Sequence, residues 1–421
     1  GSGNGADIRD FGPAEIEPDV CDQYDKFFIT SRAEISEFRG WFRCGEDPDC
    51  DQGVDYAGYT IPASILEWPA HGDVGRFQDL YLAPFYDYNN DGVYNPNDGD
   101  YPKYDLDSEF DCSDPTNRAA RAIFGDVNYW WVFNDKGNIH TETNGDPIGM
   151  EIRAQAFAFA TNDEINNMTF YNYELINRST QTLTDTYFGQ WADTDIGGYN
   201  DDYVGCDVSR GLGFCYNGDN FDEAIGSANG YGNSPPAIGI DFFEGPYQDA
   251  DGLDNAIGIG LNEAVRGNGI GYGDGVVDNE RLGMSKFVYY NNSGGNQGDP
   301  STATHFYQYL KGSWRNNAPF LYGGDGLATG TTNIQTNYCF PGDSDPLNWG
   351  TGGVDPGGAE WSEVAANNPA ADRRFLQSAG PFTLLPGAVN NITVGVVYGR
   401  NTSETDLEAS VRTMKTADSK A

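Results

Sequence analysis

The sequence predicts a mainly β protein, a β-sandwich with long acidic insertions and a few short helices. Three features of its composition lead to this prediction. Among the 421 residues, 55 Gly and 21 Pro indicate many turns, which favours strands over helices. Aromatic side chains make up 14% of the chain, and each one adds a large area that favours burial. Hydrophobic residues reach only 38%, below the roughly 45–50% of an average globular chain, so we expect long polar loops around the core.

The residue pattern divides the chain into three regions. Residues 1–115 are irregular, acidic and rich in Pro, Gly and Asp, and only residues 33–41 predict a helix there. We expect this region to pack on an elaborated β-sandwich formed by residues 116–400. Residues 401–421 predict a helix that leads to a further segment. Because the chain starts without Met or a signal peptide and stops within a helical pattern, we expect a piece of a longer polypeptide.

Alternating apolar and polar residues predict the strands of the sandwich. Residues 128–133 and 138–142 predict a β-hairpin around a turn at 134–137. Further elements are predicted as strands at 154–160, 168–177, 183–191, 382–385 and 392–398, and as a short helix at 301–312. Residues 193–285 show little periodicity, and we interpret them as one long decorated stretch. Either a jelly-roll or an immunoglobulin-like arrangement fits this pattern.

The charge of the chain limits its partners. It contains 24 Lys and Arg against 64 Asp and Glu, a formal net charge of −40. Such a chain repels phosphate backbones and anionic lipid heads, so we expect no nucleic-acid partner and no membrane-surface partner. No apolar run approaches the roughly 20 residues that a membrane-spanning helix needs, and we therefore expect no direct membrane insertion.

The seven cysteines indicate an oxidising compartment. Cys44 and Cys50 flank a short acidic loop, and Cys206 and Cys215 flank another, so both spacings predict disulfide-closed loops. Buried free thiols are the alternative for both pairs. An odd seventh cysteine is either free or paired outside this sequence. Zinc is not expected, because there is no Cys-x-x-Cys and the three histidines are far apart.

Residues 87–98 contain the sharpest local motif, a predicted calcium loop. Oxygen-bearing side chains fall at positions 1, 3, 5, 9 and 12, Gly occupies position 6, and position 7 offers a backbone carbonyl. This is the ligand spacing of an EF-hand-like loop, although Asp replaces the usual Glu at position 12. The predicted ligands are Asp87, Asn89, Asp91, Val93, Asn95 and Asp98. The alternative is an acidic, Asn-rich turn that binds nothing.

Two further acidic clusters are candidate calcium sites. Carboxylates held this densely repel one another unless a cation lies among them, although they are also often simply solvated. The first cluster consists of Asp249, Asp251, Asp254, Asp274, Asp278 and Glu280. The second, Asp193 and Asp195, follows a predicted strand, with Asp201, Asp202 and Asp207 close behind. Its alternatives are a carboxylate pair for glycoside hydrolysis or ordinary polar caps at the strand end.

Catalytic signatures are absent from the sequence. It contains no Gly-x-Ser-x-Gly elbow, no His-Glu-x-x-His and no phosphate-binding Gly-x-x-x-x-Gly-Lys. We assign no catalytic residues and no organic cofactor, so the only cofactor that we predict is Ca²⁺. An enzyme is the less favoured interpretation, although an acidic cleft with sugar-stacking aromatic rings would suit a glycoside hydrolase.

Several segments resemble a family of large proteins that Bacteroidota export by type IX secretion. The similar segments are residues 83–102, 130–142, 201–207 and 374–382. Within the first of them, the loop at 87–98 resembles the dockerin-like calcium loops, in which Asp is common at position 12. The resemblance implies a location outside the cell or on its surface. It supplies no catalytic residues, and the family's C-terminal sorting domain is not in this sequence.

These observations favour a calcium-stabilised extracellular surface protein with a structural or adhesive role. Two alternatives remain open: a carbohydrate-binding module or glycoside hydrolase acting on extracellular polysaccharide, and a subunit of a surface fibre or other assembly. The expected partners are glycans, other surface proteins and the remainder of the longer chain.

Overall fold

The chain is mainly β, as predicted, and most of its described strands belong to two antiparallel sheets that face each other, while four short strands form two small two-stranded sheets. The computed structural model describes residue 13 and residues 18–104, 122–136, 140–258, 269–358 and 360–421. The strands are β1 (Phe28–Ser31), β2 (Phe85–Tyr86), β3 (Tyr101–Pro102), β4 (Val127–Asp135), β5 (Met150–Ala158), β6 (Met168–Asn177), β7 (Leu183–Asp193), β8 (Asp202–Asp207), β9 (Leu212–Asn217), β10 (Phe221–Asp222), β11 (Gly232–Asn233), β12 (Ala237–Glu244), β13 (Lys286–Asn291), β14 (Arg373–Leu384) and β15 (Val389–Gly399).

Short helices decorate the sheets. They are α1 (Pro18–Tyr24), α2 (Arg32–Glu46), α3 (Gln52–Asp55), α4 (Ala63–Leu66), α5 (Ala303–Leu310), α6 (Glu363–Ala366) and α7 (Ala409–Asp418). The longest, α2, starts with a capping box in which Ser31 and Glu34 each accept a backbone N–H of the other at 3.2 Å. Within the described ranges, no helix is both long and apolar enough to cross a membrane.

The large sheet has eight strands in the order β1-β4-β5-β6-β15-β12-β9-β8, and the small sheet has three in the order β13-β14-β7. The small sheet packs on one face of the large sheet. Their shared core includes Phe287, Phe375 and Phe382 from the small sheet, and Phe242 and Ile392 from the large one. These side chains are almost fully buried, and burying each one stabilises the fold by about 1.5–3 kcal/mol.

The opposite face of the large sheet is covered in two places. At the β4 end, Trp130 packs against Phe38 and Trp68 of the N-terminal region. Toward the β9 end, Val411 and Met414 of α7 pack against the sheet. The side chains of each strand alternate between the two faces, so the same strands contribute to both cores.

The predicted elements agree with the structure in part. Strand β6 has the predicted bounds, whereas the predicted hairpin is wrong at its second strand, because β4 pairs with β5 and residues 141–144 form a turn. Residues 138 and 139 lie outside the described ranges. The stretch 193–285 contains the strands β8, β9 and β12, which the sequence did not indicate. All six residues of β9 are buried, so this strand lacks the alternation of a half-buried one.

One of the two predicted disulfides forms. Cys44 and Cys50 are bonded, whereas the prediction for Cys206 and Cys215 is wrong, because both are buried thiols. These two lie on the neighbouring strands β8 and β9, but the register pairs Cys206 with Gly213 and not with Cys215. Asp55 lies close to both bonded sulfurs, yet a cystine has no thiolate with which to bind a metal.

A ring of ion pairs attaches the N-terminal region to the large sheet. Glu151 accepts from Nε of Arg153 and Nε of Arg178, each at 2.8 Å, and Asp79 accepts from Nη2 of the same two arginines at 2.6 and 2.5 Å. The Glu151 side chain is fully buried and that of Arg153 is only 2% exposed. We call these four residues the ion-pair ring. Each buried charge in the ring has an oppositely charged partner, which is the condition for tolerating it inside a protein.

Substitution of Glu151 by Ala should be strongly destabilising. It removes the fully buried carboxylate that pairs with both Arg153 and Arg178, and breaking such a buried pair typically costs about 3–5 kcal/mol of unfolding free energy. Denaturant unfolding measures this loss. Glu164→Ala is the control, because Glu164 pairs with Lys420 at 3.8 Å on the surface and should contribute little. Equal small losses in both variants would contradict the assigned role of the ring.

Acid should weaken the ring through Asp79. Burial alone raises the pKa of this carboxyl, but hydrogen bonds from Arg178 and Arg153 outweigh burial and lower the pKa from 3.8 to about 2. Because the folded-state pKa lies below the unfolded one, the stabilisation is complete above pH 3.8 and is lost as the pH falls toward 2. Asp79→Asn should therefore be less stable than wild type at neutral pH, and the difference should shrink between these values. Urea unfolding across pH measures it, and a constant difference would refute the linkage.

Candidate functional site

The large sheet extends beyond the small sheet and leaves part of one face open. This part is formed by β4, β5 and β6, and it holds an open depression of about 900 Å³. We call it the aromatic groove. Its main lining residues are Phe27, Val127, Tyr129, Trp131, Ala156, Ala158, Thr169 and Tyr171. Tyr129 is 40% exposed and Phe27 is 58% exposed, values that are high for large apolar side chains.

Strand register creates the shape of the groove. Ala156 of the middle strand β5 lies between Tyr129 of β4 and Tyr171 of β6. Small residues thus form the floor and aromatic rings form a ridge on either side. Because neighbouring strands are about 4.8 Å apart, the two ridges are separated by about 10 Å. Phe27 closes one end, with its ring edge-on to Tyr129 at 6.0 Å and to Trp131 at 5.4 Å.

Few charged residues line the aromatic groove, although the protein as a whole is very acidic. Among the described residues that line it, the charged ones are Asp25 and Lys26. Lys26 lies 3.8 Å from Glu67, so part of its charge is already balanced. The remaining lining offers aromatic rings, methyl groups and a few hydroxyls. Such a surface suits an uncharged ligand that has both apolar faces and hydroxyl groups.

The sequence contains signals for this groove, but the prediction missed it. Tyr129 and Trp131 alternate with Trp130 and Val132, which face the N-terminal core. In the same way, Ala154, Ala156 and Ala158 alternate with Gln155 and Phe157 of the opposite face. Alternation shows that the two sets face opposite sides of the sheet. It does not show which of them remains uncovered, because that depends on the width of the small sheet.

In the predicted calcium loop at 87–98, side-chain oxygens accept backbone N–H groups of the same loop. Asp87 accepts the N–H groups of Asp91 at 3.2 Å and Gly92 at 2.7 Å, and Asn89 also accepts that of Asp91 at 3.0 Å. Asp98 accepts Nδ2 of Asn95 at 2.6 Å. The carboxylate oxygens of Asp87, Asp91 and Asp98 do not form a group within 4.8 Å of one another. The side chain of Val93 is exposed, at 57%.

Asp100 closes this loop and was missed by the sequence analysis. It accepts the N–H groups of Tyr88 and Asn95, both at 2.8 Å, and it is fully buried. Burial raises the pKa of its carboxyl, and the nearby carboxylates of Asp87 and Asp91 raise it further. The residue stands two positions beyond the motif, so the EF-hand spacing did not include it.

The acidic cluster of residues 249–280 is one double loop formed by two segments. Asp278 accepts the N–H groups of Asp251 and Gly252, both at 2.8 Å, while Asp254 accepts those of Gly273 and Gly275, also at 2.8 Å. The structure therefore brings the two predicted halves together. Three more members accept hydrogen bonds at the edges of the double loop: Glu280 from Asn255, Asp274 from Val276 and Asn279, and Asp249 from Thr383.

The acidic cluster of Asp193 and Asp195 also includes a residue from a distant segment, Asp372. Carboxylate oxygens of Asp193, Asp195 and Asp372 all lie within 4.8 Å of one another. Arg374 lies among them, with Nη2 at 3.0 Å from Asp193 and Nη1 at 2.7 Å from Asp372. Its guanidinium balances part of the negative charge that a cation would otherwise balance.

Comparisons with known proteins leave the interpretation to the site itself. No protein-family model matches the chain, and a search of curated proteins finds no significant match. The aromatic groove and the acidic loops must therefore be interpreted from their own chemistry.

Proposed function

We propose that this protein is an extracellular, calcium-stabilised adhesive protein that binds a neutral carbohydrate in the aromatic groove. The observation that carries the proposal is the pair of aromatic ridges on either side of the alanine floor. A sugar ring has apolar C–H faces that stack on aromatic rings, while its hydroxyls remain available to water and to the polar groups at the rim. An extended glycan chain fits a shallow channel about 10 Å wide between ridges.

The position of the floor argues against a peptide ligand that adds a strand. Such peptides pair with the free N–H and C=O groups of an edge strand. Here the floor is β5, which is hydrogen-bonded to β4 on one side and β6 on the other. A ligand of the groove therefore meets side chains only, which favours stacking.

Charge favours a neutral glycan over an acidic one. The formal charge of −40 repels uronates, sulfates and phosphates as they approach. Within the groove, the side chain of Lys26 is the cation, and its partner Glu67 lies 3.8 Å away. An anionic ligand would thus find little compensation for its lost hydration.

Two features support an extracellular setting. The disulfide between Cys44 and Cys50 is typical of proteins that fold in an oxidising compartment. The segments similar to type IX-secreted proteins of Bacteroidota agree with this setting, and we include export by that route in the proposal. Extracellular calcium is abundant enough to occupy weak loop sites with dissociation constants of about 10⁻⁴–10⁻³ M.

We propose that calcium binds to the loop at 87–98 and to the double loop formed by residues 249–255 and 272–280. Both place several carboxylates within a short, tightly turned backbone, and most of those carboxylates keep an exposed side. Binding to the folded state alone stabilises it by mass action, by about 2.7 kcal/mol per site at 100 times the dissociation constant.

Replacement of Trp131 by Ala should weaken carbohydrate binding at least tenfold. The substitution removes one ring of a ridge, and tenfold in affinity corresponds to about 1.4 kcal/mol. Affinity electrophoresis against a panel of neutral and acidic polysaccharides would identify the ligand, and calorimetry with the best of them would measure the loss. Trp191→Ala is the matched control, since Trp191 is also exposed, at 54%, but lies on β7 outside the groove.

Two outcomes would contradict the carbohydrate assignment. One is the absence of binding to every polysaccharide in the panel. The other is a concentration-dependent dimer in light scattering that Trp131→Ala dissociates, because the groove would then be a contact between copies of the chain. Equal weakening by Trp131→Ala and Trp191→Ala would place the binding surface elsewhere.

Removal of calcium should lower the melting temperature. In excess chelator, the carboxylates of both loops lose their shared cation and repel one another. Thermal unfolding with calcium and with chelator, together with elemental analysis, tests this. The double variant Asp87→Ala/Asp91→Ala should reduce both the bound calcium and the shift. A metal-free protein with an unchanged transition would refute calcium stabilisation while leaving the carbohydrate assignment open.

A further inference from the structure

We propose that the free edge of β7 binds an extended polypeptide segment of another protein, which adds to the small sheet as a fourth strand. The small sheet has the order β13-β14-β7, so among the described strands β7 has a neighbour on one side only. The segment that fits this edge is rich in β-branched or aromatic residues and carries Lys or Arg. The site does not depend on carbohydrate binding, because it is built from backbone groups of β7.

The other border of the small sheet is already closed. Phe287 of β13 donates its N–H to the carbonyl of Asn337 at 3.0 Å, and its carbonyl accepts the N–H of Cys339 at 3.1 Å. Both backbone groups of Phe287 therefore point away from β14. Phe287 pairs in register with Gln377, so the backbone groups of Gln377 point toward β7.

The same register leaves two residues of β7 with free backbone groups. Gln377 pairs with Gln190, and Ser378 pairs with Gly189. The carbonyl of Ser378 accepts an N–H at 2.6 Å from the residue that precedes β13, so it points away from β7. Because successive residues of a strand direct their backbone groups to opposite sides, the N–H and C=O of Gly189 and Trp191 face away from β14. These groups make no hydrogen bond to another described segment.

An edge of this kind is unusual for a protein that does not use it. Strand β7 has eleven residues, and residues 186–192 contain no charged side chain. Proteins generally protect their edge strands by keeping them short, by covering them or by placing charges on them. Free N–H and C=O groups on a long, uncharged strand are the features that extended peptides recognise when they add to a sheet.

The strand order of the small sheet points its free edge toward the aromatic groove. A Cβ at Gly213 of β9 would lie 2.8 Å from Phe287 and 2.9 Å from Phe375, so β13 and β14 lie over β9. Phe188 of β7 instead lies over β6, with its ring 5.4 Å from that of Tyr173. The large sheet continues from β6 to β5 and β4. A fourth strand beside β7 would therefore lie above the part of the large sheet that the small sheet leaves open.

The side chains on both sides of this position suit an apolar strand. On the inner side, Tyr171 of β6 packs against the main core and also lines the aromatic groove. On the outer side of β7, Trp191 is 54% exposed. Aromatic side chains pair favourably with β-branched and aromatic neighbours on an adjacent strand, which is why we expect such residues in the incoming segment.

Charge favours a basic partner over a second copy of this chain. Each copy carries a formal charge of −40, so two copies repel each other as they approach. If two β7 strands paired antiparallel about Gly189, Asp185 of one copy would lie opposite Asp193 of the other, and like charges placed opposite each other destabilise a sheet. A segment with Lys or Arg near its ends would be attracted instead.

Peptide display on the complete chain tests this edge. A library of random twelve-residue peptides, selected on the wild-type protein, should yield segments rich in β-branched or aromatic residues with Lys or Arg. Trp191→Pro should lower the affinity of the best peptide at least tenfold, because proline removes the outward N–H without removing a hydrogen bond to β14. Trp191→Ala is the matched control: it keeps this N–H and should retain more of the affinity.

Methylation of backbone nitrogens in the best peptide tests the same edge without altering the protein. An added strand bonds through alternate residues only, so methylation of one alternate set should abolish binding and methylation of the other set should preserve it. Amide hydrogen exchange at Gly189 and Trp191 should slow when the unmodified peptide binds.

Four results would overturn the proposal. They are a library that yields no binder, equal loss of binding from both methylated sets, slowed exchange confined to a segment outside β7, and a dimer in light scattering that Trp191→Pro dissociates. The last of these would assign the edge to a second copy of the chain. Because none of these measurements uses a glycan, their failure would leave the carbohydrate assignment unchanged.

Discussion

An eight-stranded antiparallel sheet has two faces, and the rest of this structure depends on how each face is covered. The small sheet has three strands and covers only part of one face. The N-terminal region and α7 divide the other face between them. What remains open is the aromatic groove, which is a direct result of the unequal widths of the two sheets. The same geometry that builds the main core therefore also exposes the candidate binding surface.

Many of the acidic side chains have a structural role. Many carboxylates lie in loops and accept backbone N–H groups, so they satisfy donors that lie outside helix and sheet ladders. The double loop shows this most clearly, because Asp254 and Asp278 each bind two amides of the facing segment. In the ion-pair ring, arginines balance an acid that is buried in the large sheet.

The sequence predicted the fold class and the strands with one buried face. In strand β6, Thr169, Tyr171, Tyr173 and Leu175 recur at every second position, and its bounds followed from this pattern. Strand β9 is buried at every position and contains one aliphatic residue, one glycine and two aromatic residues, so the sequence did not show the alternation of a half-buried strand. Local spacing also predicted the Cys44–Cys50 disulfide and grouped the acids of the double loop. Local spacing did not identify Asp100 and Asp372, because tertiary folding brings these two residues to the acidic clusters.

The two edge strands of the large sheet, β1 and β8, affect whether copies of the protein associate at high concentration. Strand β1 has only four residues and passes directly into α2, so it offers a very short template to another molecule. At the other border, β8 is already engaged: Cys206 donates its N–H to the carbonyl of Phe340, and Asp202 accepts that of Ala371. Edge-to-edge pairing between the large sheets of two copies is therefore limited at both borders. The apolar face of the aromatic groove is thus exposed on a sheet whose edge strands offer few free backbone groups for aggregation.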